Sequence, residues 1–202
     1  MSDAGRTVAV MAEITIEPAS IDRFADVEHA MTGGGDGGSC WCQWWMLRAK
    51  DWDATTRDER RELLKTDLTT SPPSGLVAYV DGTPAGWVKV SARPDQPRLA
   101  LTRNFQHSPE PFDDPSVWAV TCFVVRREHR GQGLSRRLLD AAVDHARAHG
   151  ARIVEAYPLD TEIAKTSSND LFHGALSTFL DAGFHEVARP KPNRPIVELT
   201  VT

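Results

Sequence analysis

The chain has 202 residues, 41% hydrophobic and 25% charged, with 23 Lys and Arg against 28 Asp and Glu for a formal net charge of -5. That composition is globular and excludes a disordered, collagen-like or coiled-coil protein. At roughly 150 residues per domain it makes one domain, able to bury a core without disulfide or metal support; the acidic balance argues against nucleic-acid binding, which needs a basic surplus, and is compatible with a cationic or amine substrate.

No apolar run reaches the roughly 18 residues of a membrane span. Met1–Met11 carries Asp3 and Arg6 and is too short and interrupted for a secretion signal. Residues 1–10 read as a frayed tail ahead of a single domain over 11–202. Three cysteines are an odd number, give no disulfide framework, and point to a reducing cytoplasm.

The alternation E-I-T-I-E predicts a strand over Glu13–Glu17. Ser20 is placed to cap a helix over Ile21–Ala30. Five glycines between Gly33 and Gly38 then form a loop, either a passive linker or a flap beside a pocket. Trp41, Trp44, Trp45 and Trp52 cluster after it, with Cys40 and Cys42 among them. A helix follows over Thr56–Leu68, broken by Ser71-Pro72-Pro73-Ser74-Gly75. Leu76–Val80 and Ala85–Val90 read as strands joined by a turn at Asp81-Gly82. Prolines 94, 97, 109, 111 and 115 mark an irregular insertion around a short helix near Arg98–Arg103. Val117–Val125 is the most apolar strand, suited to the middle of a sheet. Leu134–His149 is the clearest helix, with Leu134, Leu138, Ala142 and Ala146 every fourth residue and Gly150 ending it. A strand over Arg152–Tyr157, a helix over Leu171–Asp181, and strands over Phe184–Ala188 and Ile196–Val201 complete the chain.

The informative stretch is Val124-Val125-Arg126-Arg127-Glu128-His129-Arg130-Gly131-Gln132-Gly133-Leu134-Ser135-Arg136. A buried strand runs into a glycine loop that opens directly into a helix. The first turn of a helix has unpaired N–H groups and a positive dipole end, and glycine lets the backbone approach an anion closely. This suits a pyrophosphate. A Walker-type loop is excluded, because no Gly-Lys-Ser/Thr follows. A dinucleotide fingerprint would need a third glycine where Arg136 stands, though Glu155 lies about 20 residues on, as that fingerprint requires. A ligand-free glycine turn is the bland alternative.

Arg130-x-x-Gly133-x-Ser135 resembles the acetyl-CoA signature of the GNAT acetyltransferase superfamily, Arg/Gln-x-x-Gly-x-Gly/Ala, with Ser at the last position. Phe179-x-x-x-Gly183-Phe184 and Glu186-Val187 resemble that family's closing helix, Gly-Phe and strand. The resemblance implies an α/β fold of the α+β type, with a mixed, mostly antiparallel twisted sheet of about six to seven strands. It also implies a splay between the central strands and helices on both faces. Residues 11–115 would form the acceptor side and 116–202 the coenzyme A side. Phe123, Val124 and Val125 would meet the pantetheine arm, and Arg130, Gly131, Gln132, Gly133, Leu134, Ser135 and Arg136 the pyrophosphate.

The activity so implied is transfer of an acetyl group from acetyl-CoA to a primary amine of a small molecule or protein by direct attack. Two other functions stay open: a non-catalytic acyl-CoA-binding module, and a dinucleotide oxidoreductase. Glu155 is the candidate base. The family's usual acid, a tyrosine, is replaced by Phe179, leaving Tyr157 and His173 as substitutes. The cluster of Trp41, Trp44, Trp45 and Trp52 falls where the family builds its acceptor pocket. Cys122 stands beside the expected thioester and reads as structural or, alternatively, as a ping-pong nucleophile. Asp113 and Asp114 are an ordinary turn or an attraction for a cationic amine. No metal, nucleic acid or membrane is expected, and a homodimer is compatible with the sequence.

Overall fold

The computed structural model describes residues 12–163, 166–167 and 169–201, so the tail assigned to residues 1–10 lies outside the described residues. The chain forms β1 (Ile14–Pro18), α1 (Phe24–Met31), α2 (Gly37–Cys40), α3 (Ala49–Ala54), α4 (Arg57–Asp67), β2 (Gly75–Val80) and β3 (Thr83–Ala92). After α5 (Pro97–Leu101) come β4 (Val117–Val125), α6 (Leu134–Ala148), β5 (Ile153–Ala156), α7 (Leu176–Asp181), β6 (His185–Lys191) and β7 (Arg194–Thr200).

Local chemistry explains most boundaries. α4 starts at a reciprocal capping box, in which Thr56 accepts from the Glu59 N–H and the Glu59 carboxylate accepts from the Thr56 N–H. The β2–β3 turn places Asp81 and Gly82 at φ 48° and 75°, the left-handed pair that a tight hairpin requires. α6 buries Leu134, Leu138, Leu139, Ala142, Val143 and Ala146 along one stripe. The helix expected over Ile21–Ala30 instead begins as a 3-10 turn over Ile21–Arg23, and the Ser20 side chain makes no cap bond. The helix expected over Leu171–Asp181 is two pieces, a 3-10 turn over Asp170–His173 and then α7. Gly174 separates them at φ 80°, and a Cβ there would strike the Phe179 and Phe123 rings.

The strands form one seven-stranded sheet in the order β1-β2-β3-β4-β5-β7-β6. Only β4 and β5 run parallel; the other neighbours are antiparallel. This is the mixed, mostly antiparallel sheet implied by the resemblance, and it is not the doubly wound parallel sheet a dinucleotide enzyme requires. α6 and α7 cover one face over a core of Val88, Val90, Val120, Phe123, Leu138 and Phe179. α1 and α4 cover the other, over Val27, Met31, Trp41, Leu64 and Trp87. A third cluster, with Trp45, Leu99, Phe105, Tyr157 and Ile196, lies beneath the proline-rich insertion.

Two irregularities at β4 position the site. Lys89 pairs with Cys122 but Val90 pairs with Val120, so Thr121 bulges out of the ladder. Gln96 fills the bulge: its Oε1 accepts from Thr121 Oγ1 at 2.7 Å and its Nε2 donates to the Ala119 carbonyl at 3.2 Å. β5 pairs with β4 only from Val117 to Val120 and then ends, while β4 continues along β3 to Val125. Past the bulge, no strand among the described residues lies beside the β5-side edge of β4.

Candidate active site

The loop between β4 and α6 is built by two left-handed glycines, Gly131 at φ 74° and Gly133 at φ 73°. A Cβ on either would point into open space, with nothing within 4 Å. Gly133 caps α6 without any side-chain bond. Among the described residues, no acceptor takes the N–H groups of Gly131, Gln132, Gly133, Leu134 or Ser135, whereas those of Arg136 and Arg137 return to the Gly133 carbonyl. The result is an open, electropositive cradle at the start of a 15-residue helix. Arg130 is anchored by Nε to the Val125 carbonyl at 3.2 Å, and Arg136 pairs with Asp140 at 2.8 Å. These features fit the pyrophosphate of coenzyme A.

The cradle opens into a cavity of about 1000 Å³ that continues through the gap beside β4. Phe123, Val124, Val125, Arg130, Gly131, Gly133, Leu134, Ser135 and Arg136 all line it; Gln132 does not, and its amide turns back to the Glu128 carbonyl. The glycine loop is part of the wall rather than a detached linker. Gly34, Gly35, Asp36 and Gly37 line the cavity, and Gly33 accepts from the Arg127 N–H at 3.1 Å. Gly33 is packed so tightly on Arg126 that a Cβ would overlap it.

The far end of the cavity is aromatic. Trp44, Trp45, Trp52, Phe105, Phe172 and His173 line it. Trp44 and Trp52 meet edge to face at 5.0 Å, and Trp45 packs against Phe105 at 5.3 Å and His173 at 5.7 Å. Arg98 stacks over Trp44 at 3.6 Å and Arg60 over Trp52 at 4.1 Å, so these indoles are held from behind by cations. Burial drives the His173 pKa down to about 3, with the nearby Arg194 cation adding to the effect, so its imidazole is neutral at physiological pH. Lys191, Asn193 and Arg194, on and between β6 and β7, complete this end.

Several of the sequence-derived candidates stand elsewhere. Trp41 does not line the cavity; it is 1% exposed and packs in the core with Phe24, Leu64 and Trp87, because its left-handed backbone (φ 50°) turns it inward. Glu155 and Tyr157 are also absent from the lining. Glu155 is fully buried and accepts from Arg93 at 2.9 Å, from Ser108 Oγ and from the Tyr157 hydroxyl. Tyr157 stacks on Phe105 at 3.9 Å, and burial followed by the Glu155 charge lifts its pKa well above the ordinary tyrosine range. Phe179 is fully buried in the core. Asp113 and Asp114 lie outside the lining; Asp114 pairs with Arg152 at 2.7 Å and accepts from Ser116. Trp52, the last of the tryptophan cluster, does line the cavity. The residues that sequence reasoning passed over are Phe105, Lys191 and Arg194, which carry no local signal, because tertiary packing alone brings them together.

A sheet opened at its centre, with an anion cradle at one end of the gap and an aromatic chamber at the other, defines the fold class of acyl-CoA-dependent transferases. A model of the Acetyltransferase (GNAT) family matches residues 41–173, well over half of the chain, and the chain belongs to that family, whose acyl donor is acetyl-CoA. The fold is similar to the PaiA N-acetyltransferase from Thermoplasma acidophilum in complex with coenzyme A, with 15% identity, TM-score 0.54, and coverage of 93% of this chain and 99% of that one. It is likewise similar to YncA, a putative acetyltransferase from Salmonella typhimurium with acetyl-CoA (17%, 0.53, 94% and 94%). A third similar structure is the diaminobutyrate acetyltransferase EctA from Paenibacillus lautus, with its substrate and coenzyme A (16%, 0.51, 95% and 96%). At these identities the likeness is one of fold. No curated protein matches the chain. Among the described residues no helix is long and apolar enough to cross a membrane, and no group of His, Cys, Asp or Glu has the arrangement of a metal site.

Proposed function

We propose that the protein transfers an acetyl group from acetyl-CoA to a primary amine by direct attack of the amine on the thioester. The observation that carries this reading is the single cavity that joins the open cradle at Gly131–Ser135 to the aromatic chamber, past the unpaired edge of β4. The cradle would hold the pyrophosphate, and the β4 edge would receive the pantetheine arm as an added strand. The thioester would then lie at the mouth of the aromatic chamber.

The chamber's charge supports one kind of acceptor. Asp36 is the one acidic side chain among the described lining residues, and it lies on the glycine loop; Lys191 and Arg194 supply cations at the aromatic end. The Arg194 side chain makes no hydrogen bond or ion pair among the described residues, and burial lowers its pKa against the opposing Asp170 charge. An amine with an apolar or aromatic body and an anionic group, such as an apolar amino acid, matches this lining better than a polyamine. His173 is too weak a base to strip an ammonium at neutral pH. Its role is to orient the amine by hydrogen bonding, and the amine sheds its proton to solvent before attack. Glu155 and Tyr157 brace the chamber from behind.

A second reading is favoured by the burial of Glu155, Tyr157 and Phe179 together: a module that binds acyl-CoA without turning it over. Titration calorimetry with acetyl-CoA, with NAD as control, followed by thiol release over a panel of amines, separates the possibilities. Micromolar binding and thiol release with apolar amino acids are expected. Binding without release from any amine favours the module, and failure to bind acetyl-CoA overturns both. Arg194→Met is expected to raise KM about tenfold for carboxylate-bearing amines, a loss of about 1.4 kcal/mol, and leave KM for acetyl-CoA unchanged.

A further inference from the structure

The wall of the cavity contains a group of nucleophilic side chains that acyl transfer does not use. Cys40, Cys42 and Cys122 all line it. Cys42 is reached through two consecutive left-handed residues, Trp41 and Cys42 at φ 50° and 53°, a conformation that residues with a Cβ rarely adopt. This kink turns Cys42 onto the face of the sheet beneath α1. There its Sγ accepts a hydrogen bond from Trp87 Nε1 at 3.0 Å, and Cys122, which projects from β4 one residue past the bulge, packs in the same buried cluster. Lys89, 1% exposed, stands behind the pair, donating to Ser74 Oγ at 3.0 Å and pairing with Asp67 at 3.5 Å. Cys42 is thus a sulfur held by an indole donor, with a second thiol in the same cluster and the cavity in front.

We propose that Cys42 and Cys122 form a thiol modification site, oxidised by a small hydroperoxide to a disulfide that ties the Trp41–Trp45 segment to β4, and reopened by a dithiol reductant. The three thiols differ in the way this requires. Burial opposes ionisation of Cys42, but the Cys122 thiol, the Lys89 ammonium and the Trp87 indole outweigh it and hold its pKa below the ordinary thiol range. Cys122 is held protonated, first by its interaction with the neighbouring Cys42 sulfur and then by burial. Burial lifts Cys40 to about 11, which leaves it an unreactive thiol. The Cys42 thiolate attacks one peroxide oxygen, the O–O bond breaks, and the leaving hydroxide takes up a proton as water. The Cys122 sulfur then attacks the resulting sulfenic acid, the S–O bond breaks, and the Cys122 proton leaves with the hydroxyl as a second water. Two thiols are oxidised by two electrons and one hydrogen peroxide is reduced to two waters; an organic hydroperoxide would give one alcohol and one water.

The test is independent of acetyl transfer. The purified full chain is treated with hydrogen peroxide, quenched, alkylated under denaturing conditions without reductant, and mapped by mass spectrometry. Loss of two hydrogens, a cross-linked Cys42–Cys122 peptide and an alkylated Cys40 are expected, all reversed by dithiothreitol. Cys40→Ser should form the same bond at a rate within about twofold of the parent. Cys122→Ser should form none and should leave a dimedone-reactive sulfenic acid on Cys42. Phenylarsine oxide, which bridges two adjacent thiols, should bind one equivalent in the reduced parent and in Cys40→Ser, and none in Cys122→Ser. A disulfide that includes Cys40, or three alkylatable thiols after excess peroxide, overturns the proposal, and the mapping of the parent decides this even if a variant does not fold.

Discussion

Arg93 shows how a single side chain organises this protein. It donates to Ser108 and Glu155 at 2.9 Å each and to the carbonyls of Glu110 and Pro111, all with no exposed side-chain surface. It therefore ties the proline-rich insertion to β5. Removing one member of a buried ion pair leaves the other charge uncompensated. Glu155→Gln should lower unfolding stability by about 3 kcal/mol in urea denaturation, with the calorimetric affinity for acetyl-CoA changed less than twofold. Glu198 faces Glu155 across β5 and β7, and one of its oxygens has no partner. Burial, reinforced by the Glu155 charge, raises its pKa from 4.5 to about 7. Between these values the folded state keeps a proton that the unfolded state has lost, so this residue's contribution to stability falls as pH rises from 4.5 to 7. The loss is essentially complete by pH 8. Glu198→Gln should match the parent near pH 4.5 and exceed it in denaturation midpoint at pH 8; equal midpoints at both would show that Glu198 ionises freely.

At the scale of the element, β4 and α6 carry the donor side as one strand–loop–helix unit. Their boundaries were legible because local signals agree: a continuous apolar run, left-handed glycines and a four-residue apolar repeat. Gly133→Asp should reduce acetyl-CoA affinity at least 100-fold by calorimetry, about 2.7 kcal/mol. It places a negative charge at the cradle and a Cβ at φ 73°. A change under threefold would remove the cradle from the cofactor site. α4 offers a structural contrast: Thr56→Ala loses the capping box and should cost about 1 kcal/mol in thermal or chemical unfolding, without effect on binding. The elements that were not legible are short or broken by distant contacts. α2 has four residues and no periodicity to display. The break at Gly174 depends on the rings of Phe123 and Phe179, and Phe123 lies in a different part of the chain.

For the whole molecule, the cavity is a composite of segments far apart in the chain: the glycine loop, the tryptophan cluster, the insertion, β4 with α6, and the β6–β7 hairpin. The glycine loop is fastened to the donor side where Gly33 accepts from the Arg127 N–H, and the end of α1 that leads into it where the His29 carbonyl accepts from Arg126. Acetyl-CoA should therefore slow amide hydrogen exchange in two separate stretches, residues 33–40 and 123–136. Protection of the second stretch alone would mean that the glycine loop does not take part in cofactor binding.

What the sequence determined by itself is the set of features that local rules govern. These are the apolar β4, the amphipathic α6, the glycines between them with their unpaired N–H groups, and with these the family and its donor. Tertiary structure alone decided the rest. The bulge at Thr121 and the early end of β5 open the gap, and both are matters of pairing between strands. Glu155 and Tyr157 have the residue types of a base and an acid, yet a buried arginine 62 positions away from Glu155 binds that carboxylate and draws both away from the cavity. Cys40, Cys42 and Cys122 are three similar thiols in sequence. They differ in the folded protein because only Cys42 sits among an indole N–H, a thiol and a buried ammonium, and ionisation responds to those neighbours rather than to residue type.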